Sequence, residues 1–153
     1  MKNFLKKMTL PLLIIFIATT ILFYDQYNSQ KQELYYQTNV MAQNYLLHLD
    51  RFLEYQETLI DIEWSAEQKE EYNERLRGLE WHGNGSVMLI DLDDKEVQEL
   101  RFIFGDIRTE IYYFGDVTTP AERKERFENV LNMRNELQSS IDYLNENYPI
   151  PDA

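Results

Sequence analysis

Apolar residues follow two different rhythms along this chain. From Met8 to Tyr24, in the stretch MTLPLLIIFIATTILFY, they run almost without interruption and no residue is charged. Beyond Asp25 they fall into stripes separated by steps of three and four, with charged and amide residues between them. The first rhythm has no polar face and predicts a helix with apolar surroundings on every side. The second predicts amphipathic helices that each hide one face.

Four stripes follow. Tyr35, Thr38, Ala42, Tyr45, Leu49, Phe52, Gln56 and Leu59 line one face of a long helix, and Leu46 and Leu53 widen it. Ser65 and Gln68 form a capping-box pair, in which hydroxyl and amide each satisfy a free N–H, and Tyr72, Leu76 and Leu79 recur behind it. Gly83-Asn84-Gly85 is expected to end this second helix, with the glycines at positive φ in a loop and Trp81 over the end of the core. Val97, Leu100, Phe104, Ile107, Ile111 and Phe114 make the cleanest stripe, with Gly115 as its expected stop. That helix begins at Asp93–Glu96 or as early as Val87, and residues 86–92 have a short strand as their alternative.

Thr119-Pro120-Ala121-Glu122 combines a cap hydroxyl, Pro at the first helical position and an acidic first turn. Phe127, Val130, Leu137, Ile141, Leu144 and Tyr148 follow, Arg134 interrupts the seam, and Pro149 and Pro151 close it. Each stripe must bury itself against another, so the expected fold is all-α: one transmembrane helix, then an antiparallel bundle of about four helices.

Charge changes this picture by giving the chain a direction. Lys2, Lys6 and Lys7 precede the apolar run, whereas all 27 acidic residues follow it, and the whole chain carries −12. The positive-inside bias then predicts a cytoplasmic tail at residues 1–7, a membrane anchor at 8–24 and an acidic extracytoplasmic domain at 25–153 of a single-pass cell-membrane protein. As a helix, 8–24 reaches roughly 25 Å against a hydrocarbon core of about 30 Å. Pro11 lies in its first turn, and Thr9, Thr19 and Thr20 can return their hydroxyls to backbone carbonyls. A cleaved signal peptide is the alternative. It requires small residues at the cut, and Ala18-Thr19-Thr20 is a poor match, while Tyr24 and Tyr27 suit an interfacial belt, so retention is the expected state.

Composition limits the chemistry further. Cysteine is absent, which removes disulfides, thiolate metal sites and thiol nucleophiles and suits a bacterial envelope domain held by its core alone. The acidic balance argues against nucleic acid and makes a cationic partner the expected electrostatic one. His48 and His82 are the two histidines, and neither has the Glu three residues earlier that a di-iron bundle requires. Asp91, Asp93, Asp94 and Glu96 invite a divalent cation, but Glu96 and Phe102 stand where a calcium loop requires Gly and Glu, so helix capping is the reading. No catalytic, metal or cofactor site is expected.

Two sets of residues remain as candidates. Trp81 and His82, in EWHGNGS, form a candidate ligand loop. Among the eleven tyrosines, Tyr35, Tyr36, Tyr112 and Tyr113 are candidate protein contacts, one of each pair expected to lean outward. The order of anchor, long first helix and exported bundle resembles, in architecture alone, the four-helix sensor domains of bacterial chemoreceptors. It implies no role for any residue. The expected function is a non-enzymatic anchored protein that binds or modulates another envelope protein. The alternatives are an anchored hydrolase or ligand-binding domain using His82 with nearby carboxylates, and a self-associating stalk.

Overall fold

The computed structural model describes residues 2–88 and 94–149, apart from the side chains of residues 2–10, 12, 83–88 and 96. Four helices occur among the described residues: α1 (Lys2–Glu57), α2 (Ala66–Met88), α3 (Lys95–Asp116) and α4 (Pro120–Asn147). The chain divides into two compact units, residues 1–34 and residues 35–153.

In the first unit, Leu13, Ile14, Ile15, Phe16, Ile17, Ile21, Leu22, Phe23 and Tyr24 are all exposed, so this segment buries no side of itself in the protein. The Thr19 hydroxyl donates to the carbonyls of Ile15 and Phe16, both at 2.9 Å, and Thr20 donates to Phe16 O at 2.8 Å. Their polar groups are thereby turned inward onto the helix. Among the described residues, no helix is long and apolar enough to cross a membrane. The side chains of residues 8–10 and 12, with which the expected span opens, lie outside the described residues.

The second unit is an antiparallel four-helix bundle, and every apolar stripe of the sequence faces its core. All ten residues of the first stripe, nine in α1 and Leu59 in the turn just beyond it, the three of α2 and the six of α3 are buried. So are Phe127, Val130, Leu137, Ile141 and Leu144 of α4, with Tyr148 packed at the edge. The starts of two helices are built as their sequences demand. Ser65 N donates to Gln68 Oε1 at 2.9 Å and Gln68 N to Ser65 Oγ at 3.2 Å, while Thr119, extended at φ −96°, accepts from Glu122 N. Arg134, the break in the α4 seam, makes a two-pronged ion pair with Asp50 of α1 at 2.8 and 3.0 Å, satisfying a polar position at the helix boundary.

Polar joints fix the register. Arg123, buried in α4, donates to the carbonyls of Leu59 (2.8 Å), Ile60 (3.1 Å) and Ile62 (2.6 Å) beyond the end of α1, and to Thr118 O (3.0 Å). Its guanidinium lies 5.2 Å from the Trp64 ring centre. It thus ties down the turn that follows α1, while the last α1 carbonyls, of Tyr55, Gln56 and Glu57, accept from the backbone N–H of Thr58, Leu59 and Ile60. At the other end of α4, Asn145 Oδ1 accepts from Asn39 and Gln43 of α1, and Tyr35 stacks on Tyr148 with ring centres 3.7 Å apart. In the middle, Tyr72 of α2 donates to Ile111 O of α3 at 2.7 Å and accepts from Gln56 of α1 at 3.1 Å. Burial pushes the Tyr72 hydroxyl well above the usual phenol range, which keeps it a donor.

Two expectations about glycine require correction. Gly83-Asn84-Gly85 does not end α2, which continues to Met88, and no described glycine has a positive φ. Glycine permits a turn without demanding one, and here the helical hydrogen bonds continue. Gly115 likewise lies within α3, and its role is space: a Cβ there would come within 2.9 Å of the Tyr72 ring. Of residues 86–92, those up to Met88 are helical and the others lie outside the described residues.

Candidate functional site

Antiparallel pairing of α1 with α2 brings together the two histidines, 34 positions apart in sequence. Their rings stack at 3.6 Å between centres and 12° between planes. Around them is a groove of about 180 Å³ lined by His48, Arg51, Phe52, Arg75, Gly78, Leu79 and His82. Phe52 and Leu79 are its buried floor, and Gly78, with nothing within 4 Å of a hypothetical Cβ, leaves its wall low. Arg75 is braced by Glu71 at 2.8 Å and lies 4.2 Å from the Tyr55 ring centre.

The described lining contains two guanidiniums and two imidazoles and no carboxylate. His48 is held below the usual histidine range, first by burial, then by the neighbouring His82 and Arg51. Its neutral form is therefore favoured, and a negative charge placed in the groove would reverse that preference.

Trp81 and His82, expected in a loop, both lie on α2. Consecutive helix positions point about 100° apart, so the two side chains separate: His82 turns to His48, while Trp81 is 82% exposed and does not cover the core. The carboxylates expected beside His82 are not among the described groove residues. Sequence reasoning missed the placement of His48 beside His82 because the two lie on different helices.

One tyrosine pair divides as expected, with one ring inward, and the other does not. Tyr35 is 1% exposed and belongs to the core, so it is not a surface contact, whereas Tyr36 beside it is half-buried. Tyr112 and Tyr113 both face outward, because the core positions around them belong to Ile111 and Phe114. Tyr112 donates to Glu80 of α2 at 2.6 Å, and Arg126 lies 5.2 Å from the centre of the Tyr113 ring.

A second groove, of about 440 Å³, runs between α3 and α4 along Phe102, Ile103 and Tyr143, with Glu99, Asp106 and Glu136 along its edges. Phe102 is 69% exposed there. Among the described residues, neither Asp106 nor Glu136 has a cationic partner, and Glu99 has only Lys95 at 4.0 Å. Of the aspartates of the DLDDKE segment, Asp91 and Asp93 lie outside the described residues, and Asp94 accepts from the Tyr143 and Tyr148 hydroxyls at 3.1 Å.

No family model matches this chain, and neither curated proteins nor solved structures give a match.

Proposed function

We propose that the chain is a non-enzymatic, single-pass membrane-anchored protein whose extracytoplasmic bundle binds a cationic amphipathic segment of another envelope protein in the α3/α4 groove. The observation that carries this reading is the exposed Phe102 set between Glu99, Asp106 and Glu136, two of which have no cationic partner among the described residues. An apolar ring draws an apolar side chain out of water, while the surrounding carboxylates select Lys or Arg and reject acidic surfaces. The groove's volume falls within the roughly 300–1,000 Å³ of specific clefts.

The anchor half of the proposal rests on residues 8–24. Their apolar side chains from Leu13 onward are exposed on all sides of the helix, and the hydroxyls of Thr19 and Thr20 are returned to its own carbonyls. A helix without a polar face and with its polar groups internally satisfied is suited to lipid.

A photocrosslinking residue at position 102, used in intact membranes, should give one stoichiometric adduct. The combined charge reversal Glu99→Lys, Asp106→Lys and Glu136→Lys should abolish that adduct while preserving the helical signal. A synthetic basic amphipathic peptide should bind the unaltered protein and not the reversed one. Equal crosslinking by both forms would overturn the proposal.

A further inference from the structure

The groove at His48 and His82 stands apart from the α3/α4 surface and has the opposite character. In a chain of net charge −12, it gathers Arg51, Arg75, His48 and His82 around one depression with no carboxylate in its described lining. Arg51 is exposed and makes no ion pair among the described residues, and Arg75 shares its charge with Glu71 alone.

A metal ion does not suit the histidine pair. Imidazole lone pairs lie in the ring plane, and with planes only 12° from parallel and centres 3.6 Å apart the two sets run side by side rather than converging on one ion. A negative group fits better, because it would offset the like charge of the two guanidiniums and of a ring when it is protonated. At about 180 Å³ the space is below the roughly 300 Å³ where metabolite clefts begin. A small ion or short acid fits, and a nucleotide does not.

We propose that the α1/α2 groove binds a small oxyanion through Arg51 and Arg75, with His48, stacked on His82, taking up a proton as the anion enters. The charged and titratable groups that line the groove with His48 are Arg51 on its own helix and, from α2, His82 and Arg75, whose partner Glu71 lies outside the lining. The next carboxylate along α1, Asp50, is engaged by Arg134 of α4, and α3 contributes no residue to the lining. Every charged group in the described lining is therefore cationic. Binding should tighten as pH falls, because a proton added to His48 increases the attraction for the anion.

Sulfate is the suitable first probe because its charge is constant where histidine titrates. The full chain, in uncharged detergent micelles, would be followed by imidazole NMR from about pH 4 to 8. Saturating sodium sulfate should raise the His48 midpoint by about one unit, a tenfold change in proton affinity, relative to sodium chloride at equal ionic strength. Arg51→Gln, at an exposed position, should remove most of that shift without altering the helical signal.

A parallel titration with acetate separates the ligand classes. A stronger response to acetate assigns a carboxylate, and a stronger response to sulfate assigns a tetrahedral dianion; either result supports the site. Equal midpoints in sulfate and chloride, or an undiminished sulfate shift in Arg51→Gln, would overturn it.

Discussion

The first half of α1 and its second half are made of similar apolar residues and use them oppositely. Between Leu13 and Tyr24 the apolar side chains are exposed around the helix, whereas from Tyr35 to Leu53 those of the core stripe are buried and the positions between them are largely polar. The difference teaches that hydrophobic content alone does not place a helix. A stripe directs one face into a bundle, and an unbroken run leaves no face for water. The polar groups follow the same division: Thr19 and Thr20 bond to their own helix, while Asn39 and Gln56 bond across to other helices.

Charged substitutions at matched apolar positions test this division most directly. Leu49→Lys puts an unpaired ammonium into a fully buried site and should cost at least about 3–5 kcal/mol, read as loss of the cooperative unfolding transition. Arg123→Met keeps much of the volume but deprives the carbonyls of Leu59, Ile60, Ile62 and Thr118 of their donor. A loss of about 3 kcal/mol in denaturant titration is expected, since buried acceptors left without partners are expensive.

Ile17→Lys should act in the other half alone. On the proposed anchor reading it should weaken membrane retention by about 2.5–3.5 kcal/mol, measured by alkaline extraction, while leaving the bundle's unfolding midpoint unchanged. A lowered midpoint in Ile17→Lys would break the comparison.

Within the bundle, glycines provide a finer test. Gly115→Ala must displace the Tyr72 ring and should destabilise by about 1–3 kcal/mol. Gly105→Ala enters open space in the same helix and should stabilise by about 0.5–1 kcal/mol. Thermal midpoints of the two variants should therefore move in opposite directions.

The smallest effect is the pH dependence of His48. Its folded-state affinity for protons is lowered, so its neutral form favours folding. That contribution is complete above the unfolded value of about 6.5 and is lost as pH falls through the lower folded value. His48→Gln should flatten this part of the stability–pH curve in chloride buffer.

Much of the bundle was legible in the sequence because its signals are local. The three-four spacing of Val97 to Phe114 and the caps at Ser65 and Thr119 involve residues within one helix or one turn of each other, so the chain itself states them. Glycine misled at positions 83, 85 and 115 because its freedom fits both a helix end and a close approach, and only the neighbour decides between them. The candidate sites were less legible. His82 was singled out beside Trp81, its sequence neighbour, yet it meets His48 and Arg51 of α1. Tyr35 and Tyr112 carry the same side chain, and one is core and the other surface because of where each falls against its helix's stripe.

By itself the sequence determined the helices, their buried faces and the contrast between an unbroken apolar run and striped segments, since all of these follow from spacing along one chain. Tertiary structure alone decided that Arg123 reaches the turn beyond α1, that Gly115 makes room for Tyr72, and that two distant histidines stack between arginines. The physical reason is that helical periodicity fixes which face is buried but not how two buried faces are rotated and shifted against each other. Packing and the few polar joints settle that register, and the grooves follow from it.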